Sequence, residues 1–212
     1  RSYDTNNPWN IIAENDFIAG GFLWTGTDYI GEAGWPSHGW PAGLFDICMV
    51  EKPRAAFHRA MWNDKPMVRI AVRDNALDID HGRDLWQWPN MAAIWNFPRA
   101  YEGLVIEVNT TTNCERVALF HNGNEMGVRR TADYPNHTIT WYLPYRRGTL
   151  VAKGINGTDT VAVHEIRTAG DAVKLKAIAD RGKLMADGQD LSYVQVELLD
   201  QTEHSCSMQT AG

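Results

Sequence analysis

Asp28 and Glu32, four residues apart in the stretch GGFLWTGTDYIGE (residues 20–32), are the first pair in this chain whose types and spacing could do chemistry. Hydrolysis of a glycoside uses one carboxyl kept protonated as an acid and a second carboxylate, about 5–5.5 Å away in enzymes that retain configuration. Two carboxylates in one loop can meet that distance. A pair that only orders its loop or hydrogen-bonds a sugar meets it too, and the spacing leaves these roles open. Around the pair stand Trp24, Trp35 and Trp40. Flat indole rings stack on the apolar faces of pyranoses while nearby polar groups fix orientation, although the same rings would also serve to pack the loop against itself. His38, between Ser37 and Gly39, reads as a solvent-facing loop histidine.

Other chemistries find little support. Asn124–Glu125 could mark a sugar-cleaving acid, but it sits beside Asn122–Gly123, a hairpin-turn signal, and reads as a solvated turn. The histidines at 38, 58, 81, 121, 137, 164 and 204 show no metal-ligand spacing, so neither a metal nor another cofactor is expected. No Gly-x-Ser-x-Gly or phosphate-loop pattern occurs. Cys48, Cys114 and Cys206 are isolated, which argues against a disulfide framework. A net charge of −6 argues against nucleic acid or anionic membrane as partner, and no apolar run approaches the roughly 18–20 residues that span a bilayer. Asn109, Asn136 and Asn156 begin glycosylation triplets of the kind that arise by chance. The nine tryptophans suit cores and sugar clefts alike, with core packing the larger share.

The elements that would position these residues change character along the chain. FIAGGFLW (17–24) is apolar on both faces, as a strand covered on both sides would be. A Gly/Pro/Trp-rich loop, the run LFDICMV and a helix over KPRAAFHRAMWND follow, with Pro53 in the first turn and Phe57, Ala60 and Met61 on one face. This makes one strand–loop–helix unit, far short of the roughly 250 residues of a complete barrel. From about Lys65 the period becomes two. Val68, Ile70 and Val72 face one way in MVRIAVRD, Leu104, Ile106 and Val108 in LVIEVNT, and Ile139, Trp141 and Leu143 in TITWYLPY. With the hairpins of RVALFHNGNEMGV and GTLVAKGINGTDTVAVHEI, these predict an antiparallel β-sandwich. Asn75–Glu102, with Trp86, Trp88, Trp95 and Phe97 and no clear period, reads as an elaborated loop over one side of it. KLKAIAD and LSYVQVELLD form a later alternating pair, which either joins the sandwich or opens another domain. The abrupt start at Arg1 is expected of a piece of something longer.

At these residues the chain resembles glycoside hydrolase family 2, in particular its β-galactosidase-like enzymes. The family pattern runs roughly G-E-F-x-W-T-G-x-D-Y-x-G-E, then a Trp-Pro loop, a Gly-[Leu/Ile]-[Phe/Ile]-Asp turn and a helix ending Trp-Asn-Asp-Lys-Pro. The chain has GGFLWTGTDYIGE, GWPSHGWPAGLFD and MWNDKPMV in the same order, and the likeness continues through VALFHNGNEMG, WYLPYRRGTLVAKG and RTAGDAVKL onward. The resemblance implies a mainly β chain. Residues 1–65 would be the last strand–loop–helix unit of a (β/α)8 barrel, 66–168 an immunoglobulin-like antiparallel β-sandwich, and 169–212 the start of a further β-sandwich domain or extra strands. It also implies that the acid/base and nucleophilic glutamates lie on earlier barrel strands, so no catalytic residue is expected here. Trp24 would form a wall of the sugar subsite, with Asp28 and Glu32 near its rim. Gly21 stands where the family usually has Glu and Thr27 where it usually has Phe, which alters the expected cleft lining. The implied partner is a β-galactoside-type carbohydrate, the implied setting periplasmic or secreted bacterial, and self-association would come through the apolar strand of the incomplete barrel. A rival reading is a non-catalytic module binding carbohydrate or protein, with the first 65 residues as a docking arm. A third has a partner chain supplying the missing barrel.

Overall fold

The computed structural model describes residues 8–32, 34–35, 38–73 and 91–206. Its first part holds a short helix α1 (Pro8–Glu14), a two-residue ribbon of β1 (Tyr29–Ile30) and β2 (Gly39–Trp40), and the helix α2 (Pro53–Trp62). Helix α2 begins where Pro53 presets φ and needs no N–H partner. It buries Ala55, Ala56, Phe57 and Ala60, so Phe57 and Ala60 of the expected face turn inward while Met61 is only half-buried. The strand expected at 17–24 differs from what is observed. This segment has no strand partner among the described residues, and Phe17, Phe22, Leu23 and Trp24 are exposed. A strand apolar on both faces is stable only between covering layers, and nothing described here supplies them.

Where the sequence alternates, sheets form. The strands are β3 (Val68–Arg73), β4 (Met91–Ala92), β5 (Val105–Thr112), β6 (Arg116–His121), β7 (Asn124–Arg130), β8 (Thr138–Pro144), β9 (Thr149–Asn156) and β10 (Asp159–Arg167). They make two antiparallel sheets, ordered β4-β3-β5-β8 and β10-β9-β6-β7, closed face to face as an immunoglobulin-like sandwich. Val68, Ile70, Val72, Ile106, Val108, Ile139, Trp141 and Leu143 from one sheet meet Val117, Leu119, Leu150, Ala152 and Ile166 from the other. Leu104 lies just before β5 and stays exposed, one register step outside the face expected for it. The β6–β7 turn is Asn122–Gly123, both at positive φ. Asn122 also holds the neighbouring loop: its Oδ1 accepts from the Thr149 N–H (2.8 Å) and its amide donates to the Arg147 carbonyl (3.1 Å). Gly148 beside it is at φ 136, and a Cβ there would lie 1.8 Å from Asn122 Oδ1. Two of the three glycosylation triplets are closed off, since Asn109 and Asn136 are buried.

The segment read as a loop over one side contributes more than a cover. Residues 74–90, which include Trp86 and Trp88, lie outside the described residues, but Met91–Ala92 pairs with β3 and Trp95 is wholly buried. Its indole N–H donates to the Arg146 carbonyl (3.0 Å), and its ring meets those of Tyr145, Phe97 and His121 edge-on. Side chains that plug the end of a sandwich need not alternate, because they do not sit on a pleated surface; the period-two test therefore passes them over.

The first part is fastened to the sandwich by polar contacts. Asn113 donates to the Asn63 and Lys65 carbonyls (2.7 and 3.0 Å) and accepts from the Met67 N–H (2.8 Å). Glu51 pairs with Arg59 on α2 and lies 3.7 Å from Arg69 on β3. At the other end, β11 (Lys174–Ala179) and β12 (Val194–Leu199) form a two-stranded sheet that, among the described residues, joins neither sheet of the sandwich. Cross-strand neighbours share a face, so Leu175, Leu198, Ala177, Val196, Ala179 and Val194 form one apolar face, all of it exposed. Asp200 ties the hairpin back. Its carboxylate accepts from the N–H groups of Gly170 (2.8 Å), His204 (3.0 Å) and Thr202 (2.8 Å), and these bonds hold it well below the usual carboxylate range.

Two histidines make this architecture sensitive to acid. His164 on β10 accepts the Ile70 N–H of β3 at Nδ1 (3.1 Å), joining the two sheets at one edge, and burial with Arg69 nearby lowers its pKa to about 4. Burial and Arg54 lower His58 to about 4 as well. Between pH 6.5 and 4 the unfolded chain binds protons that the folded chain refuses. Stability is therefore intact above 6.5, falls as the pH drops towards 4, and levels off below it as far as these two groups decide. The urea midpoint is expected to decline across that window, and less steeply in His164→Gln, which keeps an acceptor but cannot be protonated there. An equal slope in the two proteins would refute the role given to His164.

Candidate functional site

Between residues 24 and 54 the backbone folds back through contacts that are mostly local. Leu44 N–H donates to the Gly26 carbonyl (3.0 Å), Asp28 N–H to the Phe45 carbonyl (2.8 Å) and Lys52 N–H to the Leu44 carbonyl (2.9 Å). A single parallel bridge joins Thr27 to Phe45. The run LFDICMV becomes a turn, because the Asp46 carboxylate accepts from the Cys48 and Val50 N–H groups (2.8 Å each). Pairing of Tyr29 with Trp40 and Ile30 with Gly39 then closes the Trp-Pro loop as a small ribbon.

Asp28 and Glu32 are engaged in different tasks. Asp28 turns inward, accepting from the Gly43 N–H (2.7 Å) and pairing with the Lys52 ammonium (2.6 Å). Its side chain is 13% exposed. Arg54, buried in the first turn of α2, donates from Nε to the Gly43 carbonyl (2.7 Å) and from Nη2 to the Pro41 carbonyl (2.8 Å). Gly43 is thus held by its N–H and its carbonyl at once, with no room beside it, since a Cβ would come within 2.2 Å of the Asp28 nitrogen. Glu32 faces solvent, and its carboxylate accepts from the Tyr29 hydroxyl (2.5 Å), which in turn accepts from the Trp24 indole N–H (3.2 Å). Glu32 holds the Tyr29 proton and raises that phenol's pKa. The Trp24–Thr25 peptide is cis.

The three tryptophans are placed differently. Trp24 is 63% exposed and meets the edge of the Tyr29 ring. Trp35 is 89% exposed, its ring against His38. Trp40 is half-buried on the same face of the ribbon as Tyr29, and its indole N–H has no partner among the described residues. The structure therefore brings Trp24, Glu32 and Trp40 around Tyr29, sets Trp35 out on the loop, and takes Asp28 into the brace beneath. Tyr29, Lys52, Arg54 and Gly43 were not among the residues singled out by sequence. Tyr29 could have been, standing between Trp24 and Glu32 in one motif. Lys52 could not, because its partner lies 24 positions away with no periodic signal linking them.

Asp28→Asn removes the ion pair and weakens the Gly43 bond. The Gly43 amide is expected to exchange with solvent roughly 10–100-fold faster, equivalent to about 1–3 kcal/mol, while Trp141 and Leu119 amides in the sandwich keep their protection. Hydrogen exchange followed residue by residue checks this.

Residues 103–162 match the family described as a domain of unknown function, DUF4982. Over 199 residues, 92% of its length, the chain is 31% identical to Beta-galactosidase BoGH2A of Bacteroides ovatus and spans 21% of that protein. It is 31% identical over 204 residues to a putative beta-glucuronidase of Formosa agariphila, again over 92% of its own length and 18% of the relative. Among solved structures, a glycosyl hydrolase family 2 member from Bacteroides cellulosilyticus superposes with a TM-score of 0.82 at 32% identity, over 93% of this chain and 28% of that one. The chain spans about a fifth of the length of the curated relatives it matches.

Proposed function

We propose that this chain, which belongs to glycoside hydrolase family 2, forms the C-terminal part of a retaining β-glycosidase resembling β-galactosidase, and walls its sugar subsite without performing the hydrolysis. The observation that carries this reading is the employment of both carboxylates: Asp28 is bound to Lys52 and Gly43, and Glu32 to Tyr29. A glycosidase needs one carboxyl free to give up a proton and another free to attack or to activate water. In this reading both such glutamates lie upstream, on earlier strands of the barrel. Residues 1–65 are the barrel's last unit, 66–168 the sandwich, and 169–212 the start of a further β-sandwich domain or extra strands. The exposed apolar run at 17–24 and the exposed apolar face of the β11–β12 hairpin support it, as surfaces built to be covered.

Trp24 is the sugar platform, with Trp35 and Trp40 extending it, and Asp28 and Glu32 frame the cleft. The substrate class is a terminal β-glycoside of the galactoside type, cleaved by the whole enzyme through a glycosyl-enzyme intermediate. The exposure of Trp35 also favours a second reading, a non-catalytic module that binds carbohydrate by itself.

The purified chain is expected to release no chromophore from a nitrophenyl β-galactoside above the rate of its Asp28→Asn/Glu32→Gln double variant. Hydrolysis that disappears in the double variant would overturn the non-catalytic assignment. In titration calorimetry with galacto-oligosaccharides, any saturable binding should weaken roughly 10-fold in Trp24→Ala, about 1.4 kcal/mol. Binding that depends on Trp35 and ignores Trp24 favours the separate module.

A further inference from the structure

We propose that Tyr29 is a positioning residue for the Trp24 platform, its hydroxyl locking the indole to the Glu32 carboxylate. The inference rests on the reading of Trp24 as a sugar platform and adds to it the means by which the ring is aimed. An indole nitrogen can only donate, and an ionised carboxylate can only accept. With Trp24 Nε1 3.2 Å from the Tyr29 oxygen and that oxygen 2.5 Å from Glu32 Oε2, one direction remains for the protons: Trp24 to Tyr29, Tyr29 to Glu32. Tyr29 thus accepts from one side and donates to the other, and the indole plane, which a single side-chain torsion would otherwise let swing, is set at 88° to the phenol ring.

The backbone is arranged to make this possible. Tyr29 is fixed by its pairing with Trp40, and Gly39, opposite Ile30, leaves so little room that a Cβ there would fall 2.6 Å from the Tyr29 carbonyl oxygen. Immediately after the ribbon strand, Gly31 and Glu32 both take positive φ (99 and 50). A glutamate seldom adopts that conformation, and here it turns the chain so sharply that a residue three positions on reaches back to the phenol. The consequence for recognition is specific. Because the Trp24 N–H is committed to Tyr29, the ring has only its face and edge to offer a sugar. It selects for an apolar pyranose face rather than for a hydroxyl in a particular place, and the polar contacts of the subsite come from other groups.

The test is the indole region of the ¹H–¹⁵N spectrum of the 212-residue chain, with the Trp24 signal identified by its loss in Trp24→Phe. In Tyr29→Phe, which keeps the ring contact, the Trp24 indole signal is expected to move upfield and exchange faster with water. The signals of Trp95 and Trp141, bonded inside the sandwich, should stay in place and report that the fold is intact. In Glu32→Gln, which replaces the carboxylate acceptor with an amide while keeping the shape, the Trp24 signal should also move although Glu32 does not touch the indole; a merely structural role for Tyr29 would not transmit that change. An unmoved Trp24 signal in Tyr29→Phe overturns the proposal. Should that variant unfold, a Trp24 signal that Glu32→Gln leaves unmoved overturns it instead. Failure of the sugar platform has a different signature: the relay responds as described, and saturating galactoside leaves the Trp24 signal where it was.

Discussion

Burial of Trp141 and Trp95 between two four-stranded sheets is the contact on which the rest of the chain hangs. Trp141 is 1% exposed, hydrogen-bonded through its indole to the Thr110 hydroxyl (3.0 Å), with the Arg129 guanidinium 4.4 Å from its ring. Trp95 closes one end of the same layer. Truncating a large side chain here would cost on the order of 3–5 kcal/mol, comparable with a large part of the stability of an ordinary domain. The two ends of the described chain join this layer more locally. The first sixty residues are joined to it through Asn113, through Glu51 beside Arg69 and through α2 packed on β5 and β3, and the last hairpin depends on Asp200.

That hierarchy explains why two carboxylates four positions apart end in such different surroundings. Asp28 belongs to the brace that lets the loop sit on α2, and its charge is answered by Lys52 within the same fold. Glu32 belongs to the surface and is answered by a phenol, a weaker and directional partner that leaves the carboxylate in water. One acid sets where the ribbon lies and the other how a ring on it is turned.

Much of this was legible before any coordinates. The period-two runs at 68–72, 104–110 and 138–145 announce strands because burying one face of a pleat demands it, and Asn122–Gly123 announces its turn because both residues tolerate positive φ. The helix at 53–62 is legible from Pro53 and its apolar stripe. Three things were not. A seven-residue helix such as α1 carries too few turns to show a period. The run at 17–24 has the composition of a covered strand, but composition cannot say whether the cover is present. The Asp28–Lys52–Gly43–Arg54 brace is assembled from residues up to 26 positions apart whose only common property is that the folded loop brings them together. The candidate aromatic residues could be named from their motif; which of them would share a hydrogen-bond chain could not.

Asn122 and Gly148 carry a consequence for how such chains diverge. Any side chain at 148 would occupy the space of the Asn122 amide, and that amide bonds both Thr149 and Arg147, so a change at either position is felt at the other. A side chain at 148 meets two obstacles at once, the positive φ of the backbone and the amide of Asn122. The two positions are expected to be inherited as a unit, a linked pair whose history runs together while the exposed strands around it change freely.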